Sequence, residues 1–154
     1  MKTLVYIQDL GGAKFLLPAL NSLKSDTFFL MVDLVSANFV SSYSKHDFET
    51  TDPKETNKDN FWDNILEEYS AVIATTGTRL INPLNCQLIE IAKNKNIPCL
   101  GFLDHWKGFE RFYNEKLENI YLPDWLGVID ELTIKRLNDE DIIPQTLRAV
   151  GHPW

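Results

Sequence analysis

The feature that most constrains this chain is an alternation. Short, wholly apolar runs are separated by stretches whose apolar residues recur at helical spacing. The runs fall at residues 4–8, 27–35, 71–75, 97–103 and 125–129, with a last short one at 147–150. Runs of this length that are apolar throughout suit strands buried on both faces. Between them, residues 13–24 place Phe15, Leu16, Leu20 and Leu23 on one side. Residues 61–69 do the same with Phe61, Trp62, Ile65 and Leu66, and residues 83–94 with Leu84, Leu88, Ile91 and Ala92. Residues 37–43 and 131–137 suit short helices. Strands that alternate with helices form parallel sheets, and right-handed crossovers put helices on both faces. The expectation is an α/β fold: a Rossmann-like, doubly wound parallel sheet of about six or seven strands.

The punctuation supports this reading. Residues 9–12 (Asp-Leu-Gly-Gly) and 76–78 (Thr-Gly-Thr) read as turns at strand ends. Pro18 predicts a late start or a kink in the first helix. Asn82 followed by Pro83 is a favoured helix start. Residues 45–60 are polar, contain Pro53, and carry little apolar content beyond Phe48. That segment fits one weak edge strand or a long loop, with His46 solvated in it.

With 154 residues the chain has the length of one domain. A domain this size buries enough surface to fold without a disulfide or metal staple. The net charge of −7 argues against wholesale binding to nucleic acid or to an anionic membrane. Cys86 and Cys99 are too few for a disulfide scaffold and sit in apolar contexts that suit buried thiols. No Cys/His spacing suggests a zinc site, so no metal is expected. No window approaches the ~20 apolar residues of a membrane span. The N-terminus lacks the long apolar core and cleavage site of a signal peptide. The default is a cytoplasmic protein.

In a doubly wound sheet, ligands bind beyond the carboxyl ends of the strands, where strand order reverses. With a weak third strand near Phe48, the loops holding Asp9–Gly12 and Thr75–Thr78 flank that crevice. Gly11 and Gly12 allow close backbone approach and positive φ, and the next helix would offer its N–H groups to an anion. They equally suit a plain tight turn. Neither G-x-G-x-x-G nor G-x-x-x-x-G-K-[ST] occurs, so no nucleotide cofactor is expected. Thr76, Gly77 and Thr78 suit either sugar and phosphate oxygens or a helix cap. The densest segment follows the run at 97–103: Asp104, His105, Trp106, Lys107, Gly108, Phe109, Glu110, Arg111, Phe112 and Tyr113. Aromatic faces beside hydrogen-bonding groups suit a carbohydrate, and Asp104 or His105 suits general acid–base work. The alternative is that these aromatics form a packing cluster or a subunit contact. No Gly-x-Ser-x-Gly elbow is present, and neither cysteine has a nearby His, so nucleophilic hydrolysis is unsupported.

The order Asp9-x-Gly11-Gly12-Ala13, Thr76-Gly77-Thr78, Leu103-Asp104-His105-Trp106, Pro123-Asp124 and Gly151-His152-Pro153 resembles the N-terminal half of GT-B-fold proteins. The likeness is to bacterial proteins of surface-polysaccharide biosynthesis related to glycosyltransferases and UDP-sugar epimerases. It spans nearly the whole chain. It implies residues 1–154 as an N-terminal-type Rossmann domain carrying the acceptor site, with the nucleotide-sugar domain absent and no complete reaction by this chain alone. Asp104 and His105 would be the catalytic candidates. Asp9, Gly11, Gly12, Thr76, Gly77, Thr78, Trp106, Lys107, Arg111 and His152 would bind substrate. Implied partners are a sugar or nucleotide-sugar, a subunit carrying the donor domain, and a second copy of the chain. GT-B chemistry usually needs no bound metal. The competing expectation is a non-enzymatic binding or assembly module on the same fold, with Trp106–Tyr113 as its interface.

Overall fold

The computed structural model describes residues 2–52, 60–77, 84–113 and 120–152. Seven strands form one sheet: β1 (Thr3–Ile7), β2 (Phe28–Asp33), β3 (Glu49–Thr51), β4 (Ala71–Thr75), β5 (Cys99–Leu103), β6 (Trp125–Val128) and β7 (Thr146–Ala149). The helices are α1 (Leu10–Leu20), α2 (Leu34–Tyr43), α3 (Phe61–Leu66), α4 (Leu84–Asn94) and α5 (Glu131–Asp139), with 3₁₀ turns at Ser25–Thr27 and Phe109–Phe112. Strand order is β3-β2-β1-β4-β5-β6-β7, and every neighbouring pair is parallel. The fold is α/β and Rossmann-like, with the order reversing between β1 and β4. The weak third strand is real but covers only Glu49–Thr51 at the sheet edge. Its opposite number is the β2 segment Met31–Asp33.

Alternate residues on each strand serve opposite faces. Leu4 and Tyr6 pack with Met31, Trp62, Leu66 and Leu88 under α3 and α4. Val5 and Ile7 pack with Leu16, Leu17, Leu30 and Val40 under α1 and α2. A third cluster joins Leu103, Phe112, Val128 and Leu137 beneath the second 3₁₀ turn and α5. Trp62, 1% exposed, meets Tyr6 edge-on at 5.0 Å. Full burial of one such large side chain stabilises the fold by roughly 1.5–3 kcal/mol. Both cysteines are free and buried. Burial, with Asp124 nearby, pushes the Cys99 thiol up to about 12.

Several expected boundaries moved. The Asp9–Gly12 segment is no turn: α1 begins at Leu10, because the Asp9 side chain accepts from the Gly12 amide at 2.7 Å and caps the helix directly at the strand end. Gly11 and Gly12 are therefore helical, and the positive-φ glycines among the described residues are Gly108 and Gly151. Pro18 neither delays nor ends α1. The helix expected over 61–69 stops at Leu66. His46 is half-buried: its Nε2 donates to the Leu20 carbonyl at 2.9 Å, and its ring stands edge-on to Phe28 at 4.9 Å. The expected cap Asn82-Pro83 lies outside the described residues. No helix among the described residues is long and apolar enough to cross a membrane.

Candidate functional site

The crevice where strand order reverses is built from the carboxyl ends of β1, β4 and β5. From β1 come Gln8 and Asp9, from β4 Thr75, Thr76 and Gly77, and from β5 Asp104. Arg111 reaches in from the second 3₁₀ turn.

Glycine makes room for a close neighbour at three points, most strictly at Gly12, where the neighbour is the Thr75 Cβ. A Cβ on Gly11 would run into the Asp104 carboxylate, with Asp9 Oδ1 3.5 Å away. Two carboxylates therefore converge on the first turn of α1. A Cβ on Gly12 would collide with the Thr75 side chain, so Gly12 lets α1 lie against β4. A Cβ on Gly77 would sit 3.1 Å from Asp9 Oδ2 and 2.9 Å from Gln8 Cδ.

Arg111 is 5% exposed. Its guanidinium faces Asp104 Oδ1 at 3.5 Å. It also donates to the Thr76 carbonyl, and its Nε donates to the Gly108 carbonyl at 2.8 Å. Gly108, at φ +79°, makes the bend that turns this arginine inward. The Thr76 hydroxyl donates to the Phe102 carbonyl at 2.7 Å, and Thr75 Oγ1 accepts from the Gln8 amide at 3.0 Å. Both hydroxyls thus tie the strand ends together. Asp9 is shifted upward: burial disfavours its charge first, and the nearby Asp104 adds to this. The Gly12 amide and Arg111 pull the other way.

The anion site expected at the α1 N-terminus is thus filled by the protein's own carboxylates. Asp9 takes the Gly12 N–H and Asp104 crowds Gly11, where a bound phosphate would otherwise sit.

The expected site residues separate into three groups. Asp9, Gly11, Gly12, Thr76, Gly77, Asp104 and Arg111 meet in the crevice. Trp106 and Lys107 are exposed beside a hollow of about 330 Å³ that Gly108, Glu110 and Arg136 help to line. His105 is exposed too, its ring 6.1 Å from that of Trp106. The Trp106 indole donates to Asp130 Oδ2 at 2.8 Å, and Arg136 donates to the Trp106 carbonyl at 3.0 Å. His152 stands edge-on to Phe15 of α1 at 5.8 Å. Thr78 lies outside the described residues. Of the aromatics after Trp106, Phe109 and Phe112 are core residues at 4% and 0% exposure.

Sequence reasoning passed over Gln8, Asp130 and Arg136. Asp130 had a readable signal: an acid directly after an apolar run, three residues before Thr133, whose amide and hydroxyl both donate to it at 2.8 Å. Gln8 carried none, because it looks like an ordinary strand residue. No group of His, Cys, Asp and Glu among the described residues is arranged to hold a metal ion. Neither a scan of protein-family models nor a search of curated proteins finds a match to this chain.

Proposed function

We propose that this domain binds a neutral, polyhydroxylated ligand in the crevice: the sugar acceptor of a glycosyltransferase-like reaction in cell-surface polysaccharide assembly. The observation that carries the reading is the convergence of Asp9 and Asp104 on the first turn of α1 beside buried Arg111. A phosphate placed there would face two carboxylates. Each like-charge pair at ~4 Å costs about 4 kcal/mol at an effective dielectric of 20. A hydroxyl pays no such penalty and donates to a carboxylate in a charge-assisted bond.

Asp104 is the group to accept a proton from an acceptor hydroxyl, with Arg111 holding it in place. His105 stands on the surface and is left as a rim contact. The nucleotide-sugar would be held by a partner subunit or a further domain, so this domain alone would not complete a transfer.

Thermal unfolding against free sugars and UDP-, CDP- and GDP-sugars tests this. A ligand at ~100 times its Kd adds ~2.7 kcal/mol and raises the midpoint. The expected result is a shift by a free sugar that Asp104→Asn abolishes while the variant stays folded, and none by nucleoside diphosphates. A shift by nucleoside diphosphates that survives Asp104→Asn, or no shift across the panel, would overturn the reading.

A further inference from the structure

At the end of the sheet opposite the crevice, an ammonium group of the protein sits against two aromatic rings. Lys2 stands just before β1, Phe29 is the second residue of β2, and Tyr69 lies just before β4. Because β1 pairs with both β2 and β4, the three meet at the amino ends of neighbouring strands. Lys2 Nζ is 5.7 Å from the centre of the Phe29 ring and 4.8 Å from that of Tyr69. Both lie within the ~6 Å reach of a cation–π contact. The rings are 6.0 Å apart and tilted by 38°. Each is half-buried, packed against the cluster that holds Leu4, Met31 and Trp62.

The surroundings are acidic. Lys2 Nζ is 3.4 Å from Glu68 Oε2. Glu49, the first residue of β3, lines the same hollow and forms no ion pair among the described residues. Burial first pushes the Tyr69 hydroxyl upward; Lys2 opposes this, and Glu68 and Glu49 add to it. The hollow measures about 400 Å³ and is closed by Met31, Asn64 and Ile65. Two carboxylates thus face one ammonium, and the hollow keeps negative charge beside two ring faces. An anion would be repelled by both carboxylates. A hard metal ion would need more oxygen ligands than these. Aromatic faces with diffuse negative charge are the chemistry that holds organic ammonium ions.

We propose that this hollow binds the head group of a small organic ammonium ion, and that Lys2 is its internal stand-in, displaced when the ligand enters. The Lys2 side chain is 50% exposed, so its ammonium can swing out into water, where it is strongly hydrated. A cation that carries alkyl groups gains more from the rings, Met31 and Ile65, because its apolar surface leaves water. A primary ammonium would also donate to Glu49 and Glu68, whereas a quaternary one would use the rings and the charge alone. The hollow lies at the opposite ends of the strands from the crevice, so this inference does not rest on the sugar reading.

The test is an NMR titration of the full chain that follows the ring protons of Phe29 and Tyr69. The probes are choline and n-butylammonium, with sodium chloride as the control at equal ionic strength. The expected result is a saturable shift of both rings by choline or n-butylammonium and none by sodium chloride. Saturation by choline alone assigns the hollow to quaternary head groups, and by n-butylammonium alone to primary ones. Lys2→Ala should tighten binding several-fold, because the competitor is gone. Tyr69→Ala should weaken it about tenfold, and Tyr69→Phe, which keeps the ring, should not. Glu49→Gln, at an exposed edge position, should weaken binding several-fold and guards against a folding defect in Tyr69→Ala. The proposal is overturned if neither probe saturates in the native chain or in Lys2→Ala, or if Tyr69→Ala and Glu49→Gln both bind as the native chain does. Weaker binding by Lys2→Ala would also overturn it, since Lys2 would then be part of the site and not its occupant.

Discussion

Two corners of this molecule use the same local chemistry, yet their carboxyl groups are shifted in opposite directions. At the β1–α1 corner Asp9 caps the helix by accepting from Gly12. At the β6–α5 corner Asp130 does so by accepting from Thr133. A third corner, β2–α2, follows the rule with Asp33 and Val35. Yet Asp9 is pushed upward, first by burial and then by Asp104. Asp130 is held below the ordinary carboxylate range, first by the Trp106 indole and then by Thr133. A cap is decided within four residues of sequence. Its charge is decided by what the fold brings alongside, and a second carboxylate beside Asp9 is what makes that corner a candidate site.

The sharpest way to break the comparison is to remove the cation that stabilises the inner corner. Arg111→Ala should cost about 3 kcal/mol, the lower end for breaking a buried pair, because Asp104 retains some solvent. Urea unfolding measures this, and Arg111→Met combined with Asp104→Leu should recover much of the loss. A cost of a few tenths would mean that the crevice is not held together electrostatically.

A smaller effect separates the cap from the charge at Asp9. Asp9→Ala should lose about 1 kcal/mol with the cap. Asp9→Asn keeps an acceptor for Gly12 and should not. Because the folded state holds the Asp9 proton to higher pH than the unfolded chain, it binds more protons across that window. Asp9 therefore makes the native protein less stable as pH rises through it, and more stable as pH falls back. Denaturant midpoints from pH 4 to 7 should show this slope in the native chain and a flatter profile in Asp9→Asn. An unchanged slope would place the effect elsewhere.

The smallest effect is expected at the outer corner, with the opposite sign. Asp130's contribution is present above the unfolded pKa and lost as pH falls through its lowered folded value. The Trp106 indole N–H, followed by NMR, should shift on acidification only below the ordinary carboxylate range. A transition at the unperturbed value would mean that the Trp106–Asp130 bond does not persist in solution.

Much of the fold was legible in the chain. The apolar runs placed β1, β2, β4, β5, β6 and β7 because a short apolar run bounded by turn residues is a local signal. β3 was faint because an edge strand of Glu49–Thr51 needs little apolar character. The start of α1 was misread because Gly-Gly signals a turn locally, and only Thr75 and Asp104, distant in sequence, explain why helical residues there must lack a side chain. For the same reason Asp104 and His105 looked equivalent as neighbours, although one enters the crevice and the other faces water.

The sequence by itself determined most of the secondary structure and the parallel class, since these depend on local periodicity. Only the tertiary structure decided that Asp9, Asp104 and Arg111 share one crevice, and that Thr75 of β4 meets Gly12 of α1. Both depend on which strands become neighbours and on which face each connection crosses. Those outcomes are fixed by packing between segments far apart in the chain, which no local pattern encodes.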